Sequence, residues 1–135
     1  MASDAILGSE KLIAFVPTRD LARARRFYEL TLGLRLGSDE APVALVFDGG
    51  GTMLRITAVG DYTPDAFTVL GWQVDSIEKT VDRLASAGVA MLRYSGMNDS
   101  EPRGIWTSPA GACVAWFHDP DRNVLSVTEF PKSEK

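Results

Sequence analysis

The stretch KLIAFVPTRDLARARRFYELTLG, residues 11–33, decides the fold. Its first half is an apolar run of strand character that ends at Asp20. Its second half carries apolar side chains on one face of a helix, at Leu21, Ala24, Phe27 and Tyr28. Glycine is favoured just after a helix C-terminus, so Gly33 marks the end of that helix. The stretch therefore predicts a strand followed directly by an amphipathic helix.

The same pattern returns in FTVLGWQVDSIEKTVDRLASAGV, residues 67–89. The apolar run ends at Asp75, and Gly88 marks the end of the second helix. Asp75 and Glu78 have the spacing of a capping box at the start of this helix. Its apolar stripe consists of Ile77, Val81, Leu84 and Ala85. Asp20 and Asp75 lie 55 residues apart, which is about one β-α-β-β-β unit.

The other apolar segments supply three further strands to each copy. They are LRLGS (34–38), PVALVFD (42–48), TMLRITAV (52–59), VAMLRY (89–94), ACVAWFH (112–118) and VLSVTEF (124–130). The polar stretch 95–104 is predicted to be a mobile loop or lid. The sequence predicts an α+β fold of two tandem βαβββ modules in a single domain, 1–135. Module one is expected at about 11–59, a linker at 60–66 and module two at about 67–130.

One helix per module covers only one face of its strands. The opposite face must meet the other module or enclose a cavity, which is the usual place for a small ligand.

Composition restricts the partners. The chain has 135 residues, a net charge of −4 and a pI of about 4.9, which disfavours nucleic acid and anionic lipid. No apolar run has the length of a membrane helix. The only cysteine, Cys113, excludes an internal disulfide and is expected to be a small core residue. We expect a cytoplasmic protein.

Two polar motifs have ordinary structural interpretations. Four arginines (19, 23, 25 and 26) are expected on a solvated helix face, with Arg25 paired to Glu29 at i,i+4 spacing. The segment DPDRN, residues 119–123, is expected to be a turn. Cation binding by His118 and the two aspartates of that turn is the alternative.

Two stretches resemble one known family. FVPTRDLARARRFYELTLGLRL (15–36) looks like the opening of a vicinal-oxygen-chelate module, and WFHDPDRNVLSV (116–127) is similar to its closing signature. That superfamily includes glyoxalase I, extradiol dioxygenases, fosfomycin-resistance enzymes and bleomycin-binding proteins. The resemblance covers about residues 11–130 and implies the glyoxalase/bleomycin resistance-like fold around a cavity. One fold hosts many chemistries, so it does not fix the function.

The resemblance also implies where metal ligands would lie. In the metal-using members they come from the first and last strands of each module, which here places them at Ile13, Arg55, Val69 and Ser126. Hydrocarbon, guanidinium and a lone hydroxyl do not replace the carboxylate and imidazole ligands of a divalent ion. We therefore expect no metal, no cofactor and no catalytic residue.

Strand alternation extends these positions to a candidate ligand site. On the seventh strand, the resemblance to drug-modifying relatives implies that Val114, Trp116 and His118 face the ligand. Trp72 is expected to face the helix, and Trp106 to lie at the rim or under the loop. The candidate ligand-binding residues are Phe15, Met53, Arg55, Thr57, Gln73, Trp116, His118 and Ser126.

The leading hypothesis is a metal-independent homodimer that binds a small molecule, with sequestration of a drug or metabolite as the role considered for it. Arg55 would bind either an anionic ligand or an internal carboxylate. The alternative is an enzyme of the same superfamily, with atypical metal ligands or acid–base chemistry at His118. A dimeric accessory module without a small ligand is a third hypothesis.

Overall fold

Two four-stranded sheets form the framework of the computed structural model, which describes residues 6–132. Sheet one has the order β1-β4-β3-β2, with β1 (Ile13–Thr18), β2 (Arg35–Glu40), β3 (Ala44–Gly49) and β4 (Thr52–Ala58). Sheet two has the order β5-β8-β7-β6, with β5 (Thr68–Gln73), β6 (Trp106–Thr107), β7 (Cys113–His118) and β8 (Val124–Glu129). In both sheets the first strand runs parallel to the last and the other pairs are antiparallel. The predicted α+β fold of two repeated modules is confirmed.

The helix of module one changes its geometry halfway. Helix α1 (Leu21–Arg25) begins at Asp20, whose carboxylate accepts a hydrogen bond from the Arg23 backbone N–H at 3.0 Å. It continues as a wider π-type helix, Arg26–Thr31, which ends with a bond from the Leu32 N–H to the Phe27 carbonyl. This widening lies beside Tyr28, whose side chain is fully buried.

Helix α2 (Ile77–Ser86) begins one residue later than the sequence suggests. Ser76 caps it by accepting from the Lys79 N–H, so the predicted Asp75–Glu78 capping box is wrong. Its first turn is also satisfied by Glu129 of β8, which accepts from the Ile77 N–H at 2.9 Å. That carboxylate comes from a strand that is distant in sequence, so the local sequence pattern around the helix does not predict this contact. Neither helix in residues 6–132 is long and apolar enough to cross a bilayer.

The segment 89–94 is not the regular strand that was predicted. It contributes one isolated bridge, from Met91 to Phe117, and one bond from the Leu92 N–H to the Trp116 carbonyl. The two-residue strand β6 takes the edge position beside β7 instead.

The loop 95–104 is compact. Its buried Asn98 donates to the carbonyls of Leu92 and Gly104 and accepts from the Tyr94 N–H. Arg93 donates to three carbonyls, those of Asn98, Glu101 and Pro102. The loop that was predicted to be mobile is thus tied down by two side chains at its base.

One hydrophobic core joins the helix-bearing faces of both sheets. It includes Val16, Phe47 and Ile56 of sheet one with Phe117 and Leu125 of sheet two. The edge strands β1 and β5 also contact each other. The modules therefore lie side by side with their helices on the same side of the molecule.

A buried polar network connects module one to the turn between β7 and β8. Asp121 is fully buried and accepts bonds from the Thr18 hydroxyl, the Arg19 backbone N–H and the guanidinium groups of Arg19 and Arg23. Two of the four arginines are thus ion-pair partners across the modules and not a solvated face. Arg25 does pair with Glu29, at 3.0 Å, as expected.

Asp119 makes the second connection. Its carboxylate accepts from the Tyr28 hydroxyl at 2.7 Å, from the backbone N–H groups of Asp121 and Asn123, and from the side-chain amide of Asn123. The segment 119–123 is a turn, as predicted, and its carboxylates also hold the two modules together. Four donors around a buried carboxylate offset much of the cost of taking it out of water.

Replacing Asp121 by alanine should lower the free energy of unfolding by about 2–3 kcal/mol, since bonds to a charged group are worth that much and Thr18 loses its acceptor. Urea denaturation measures it. Asp39→Ala is the matched control: Asp39 pairs with Arg25 at the surface, and its loss should cost at most about 1 kcal/mol. Equal losses in the two variants would contradict the role given to Asp121.

The difference in unfolding free energy between the wild-type protein and Asp121→Ala should depend on pH. Burial raises the pKa of Asp121, but bonds from Thr18 and Arg19 and the charge of Arg23 outweigh it and hold the pKa below its usual value. Its stabilisation is therefore present above the unfolded pKa of about 3.9 and is lost as pH falls through the lower folded value. Below that window the wild-type protein and Asp121→Ala should converge.

Candidate ligand-binding site

Each sheet has an open face on the side away from the helices. Along β4 the buried residues Leu54 and Ile56 alternate with Met53, Arg55 and Thr57, which point to the open side. The same alternation holds along β7, where Ala115 and Phe117 are buried against the core. The open faces of both sheets are where the candidate residues lie.

The open face of sheet one is strongly apolar and exposed. The register pairs Phe15 with Arg55 and Ile13 with Met53. Phe15 is 60% exposed, Ile13 48% and Met53 42%. The structure thus brings four predicted residues, Phe15, Met53, Arg55 and Thr57, onto one surface.

Arg55 has an acidic partner inside the chain. Its guanidinium donates to Glu40 at 2.8 Å, and Glu40 is 44% exposed while Arg55 is 25% exposed. Of the two arrangements that the sequence left open, this is the internal carboxylate. Arg55 is therefore already paired within the chain.

A bulge in β2 puts Glu40 on the open face. Leu36 is opposite Phe47, whose side chain is in the core, but Ser38 is opposite Val46, on the open side, because the register shifts at Gly37. Without this extra residue Ser38 and Glu40 would have kept the parity of Leu36. A glycine inside a strand was the only sequence signal of the change.

Trp116 forms the centre of an aromatic group on the open face of sheet two. Its ring meets Tyr94 edge-on with centroids 5.4 Å apart and lies 6.1 Å from Trp106. Its indole N–H donates to the Thr68 hydroxyl at 3.1 Å. Three aromatic rings converge here, and all three are only partly buried.

Sequence reasoning missed Tyr94 and Thr68. Tyr94 follows an irregular segment, where alternation does not tell which way a side chain points. Thr68 begins β5 just before a register shift between Thr68 and Leu70. Trp106 contacts Trp116, and this contact is compatible with both positions considered for it, at the rim and under the loop.

The other candidate residues on sheet two differ in how far their side chains are exposed to solvent. His118 follows Trp116 on the same face and is partly buried; burial, followed by the nearby charge of Arg122, lowers its pKa. Ser126 is buried and lies over Gly71, where a Cβ would come within 2.6 Å of the Ser126 Oγ. Gln73 is exposed near the end of β5.

The four positions that the resemblance gives to metal ligands do not fit a metal. Ile13 and Arg55 lie on the open face of sheet one, and Val69 and Ser126 belong to sheet two. None offers a carboxylate, imidazole or thiolate. Within residues 6–132 no three His, Cys, Asp or Glu side chains come together as a ligand set.

Comparison with known protein families identifies the superfamily of the chain. Residues 12–127 match the sequence model of the Glyoxalase/Bleomycin resistance protein/Dioxygenase superfamily. None of the curated proteins compared with the chain is similar enough to count as a relative.

Several solved structures share the architecture. Lactoylglutathione lyase from Agrobacterium tumefaciens has 17% identity and a TM-score of 0.71, over 90% of this chain and 93% of its own. TioX from Micromonospora sp. ML1 has 14% identity and a TM-score of 0.67, over 91% and 100%. A glyoxalase/bleomycin resistance protein/dioxygenase from Alicyclobacillus acidocaldarius has 16% identity and a TM-score of 0.67, over 92% of this chain and 93% of its own. At these identities the likeness establishes the fold and not the activity.

The Arg55–Glu40 pair can be measured by a double-mutant cycle of Arg55→Met, Glu40→Gln and the double variant. Because Glu40 is well exposed, the coupling energy should be about 0.2–1 kcal/mol in urea denaturation. A coupling above about 2 kcal/mol would mean that the pair is desolvated in solution and that Arg55 is not available to a ligand.

Proposed function

The chain belongs to the glyoxalase/bleomycin resistance protein/dioxygenase superfamily, and we propose that it binds a small organic molecule without a metal ion, holding it on the open face of sheet two. Sequestration of a drug or metabolite is the role that such a site would serve. The observation that carries the proposal is the aromatic group of Trp116, Tyr94 and Trp106 on a face that no helix covers.

This group suits a flat, apolar ligand. Offset or edge-to-face contacts between aromatic rings add about 0.5–1.5 kcal/mol each beyond area burial. The Thr68 hydroxyl fixes the Trp116 ring through its indole N–H, so less side-chain freedom is lost on binding. His118 and Thr68 supply polar contacts at the edge of the same surface.

A second copy of the chain would complete the site. Ile13, Phe15 and Met53 leave an apolar surface on sheet one, and Phe67 and Val69 extend it onto sheet two. Contiguous apolar surface of this kind marks an interaction site. Two-fold homodimers are the commonest oligomers, and in one the open face of each chain would be covered. Arg55 would then lie at the edge of the enclosed space.

The residue types at 13, 55, 69 and 126 support metal independence, because hydrocarbon, guanidinium and hydroxyl groups are poor ligands for a divalent ion. The acidic net charge argues against nucleic acid as the partner. A cytoplasmic location is consistent with one cysteine and no disulfide.

Acid–base catalysis by His118 is a second candidate, and one observation favours it. The imidazole lies on the same strand face as Trp116, and its lowered pKa keeps it neutral near pH 7. A neutral imidazole at the edge of a ligand site can act as a general base.

A thermal-shift screen over antibiotics and small metabolites should give aromatic compounds that raise the melting temperature and quench tryptophan fluorescence. Trp116→Ala should abolish both effects, and Trp116→Phe should retain part of the binding because it keeps an aromatic face. Leu30→Ala, an exposed position on module one's helix, is the control and should bind normally.

Three outcomes would contradict this proposal. Unchanged binding in Trp116→Ala would remove the aromatic group from the site. About one metal ion per chain surviving dialysis would overturn metal independence. A ligand recovered as a chemically changed product, with turnover lost in His118→Gln, would favour the enzyme.

Sedimentation at micromolar concentration should give a mass of about twice 14.7 kDa. Phe15→Glu places a charge on the apolar face of sheet one and should shift the protein toward the monomer. Leu30→Glu, on the helix side, should leave the mass unchanged. A wild-type monomer that still binds ligand would show that one chain suffices.

A further inference from the structure

A cleft lies on the opposite side of sheet two from Trp116. Its volume is about 450 Å³, within the range of small-molecule sites. Phe117 and Val127 form part of its lining, and both have the strand parity that faces the helices. The cleft is therefore separated from the aromatic group by the thickness of one sheet.

The two modules build this cleft together. Leu32 and Leu34, just after the π-type helix, line it from module one. Trp72 and Leu84 line it from module two. Much of its lining is apolar, so an apolar body would be removed from water there at about 25 cal/mol per Å².

Among the described residues that line the cleft, Arg83 is the only ionisable one. It forms no ion pair with any residue in 6–132, and no aspartate or glutamate lines the cleft. Its nearest acidic neighbour in sequence, Asp82, is already paired with Arg103 by two bonds of 2.9 and 3.1 Å. The guanidinium is thus an uncommitted donor beside an apolar cleft.

Other polar groups in the lining also favour a ligand that accepts hydrogen bonds. The indole N–H of Trp72 makes no hydrogen bond to any described residue. The Thr80 hydroxyl donates to the Ser76 carbonyl and has lone pairs left, and Gln73, the last residue of β5, is also part of the lining. Donors near the surface are available here, and charged acceptors are missing from the lining.

We propose that this cleft is a second binding site, for small organic anions with an apolar body, in which the body contacts Trp72, Leu84 and Phe117 and the anionic head group binds Arg83. A charged head group on a guanidinium forms the stronger class of hydrogen bond. Such a ligand contacts both modules at once and stabilises their packing. The site is independent of the open face and does not rest on the function proposed for it.

The test uses octanoate, with octan-1-ol as its neutral match, and reads the three tryptophan indole N–H signals by NMR. Trp72 lines the cleft, whereas Trp106 and Trp116 lie on the open face, so one spectrum distinguishes the two sites. Trp72→Phe assigns the signal. Octanoate should shift the Trp72 signal saturably, with a Kd on the order of 1 mM for a ligand of this size.

Arg83→Met keeps the apolar stem and removes the charge. It should weaken octanoate by about tenfold and leave octan-1-ol unchanged, since only the head-group bond is lost. Arg35→Met, at a side chain that is 83% exposed on β2, is the control and should not change the titration.

Four results would overturn the proposal. They are no saturable shift of Trp72, shifts confined to Trp106 and Trp116, equal binding of octanoate and octan-1-ol, and unchanged octanoate binding in Arg83→Met. A Trp72 signal that moves on protein dilution would show instead that a second copy of the chain fills the cleft. The Trp72 shift and its dependence on Arg83 are read separately from any shift of Trp106 and Trp116, so failure of this proposal and failure of the function proposed for the open face are distinguishable.

Discussion

Two buried carboxylates in the turn 119–123 hold the two modules in one arrangement. Asp121 gathers Thr18, Arg19 and Arg23 from the start of module one's helix, and Asp119 receives the Tyr28 hydroxyl one turn further along. A buried carboxylate is costly unless donors surround it, so neither module can leave without stranding charge. Because Arg23 and Tyr28 lie on the helix of module one, these contacts hold the helix-bearing side of that module against the turn of module two and leave the open faces of both sheets out of the contact.

The two modules share a strand order but differ on their open faces. Module one carries exposed apolar side chains and the Arg55–Glu40 pair, which a bulge at Gly37 makes possible. Module two carries the aromatic rings around Trp116. The side chains, and not the fold, therefore decide what such a protein binds.

Strand β7 serves both sides of sheet two. Trp116 belongs to the open face, and its neighbour Phe117 lines the cleft toward the helices. Pleating sends successive side chains to opposite faces, so a single strand takes part in both surfaces at once. Molecules bound on the two sides would be separated only by this sheet, and a displacement of β7 would move side chains on both surfaces.

The sequence by itself determined the repeat, the strand–helix order and the parity of β1, β4 and β7, because apolar periods of 2 and 3.6 are local properties of the chain. It also determined that positions 13, 55, 69 and 126 lack metal ligands. Only the tertiary structure decided the partners of Asp121, which lie about 100 residues away. It alone revealed the side taken by Glu40 after its bulge, and the use of Ser76 as a cap once Glu129 had satisfied Ile77. These features depend on which distant groups meet, and local spacing does not encode that meeting.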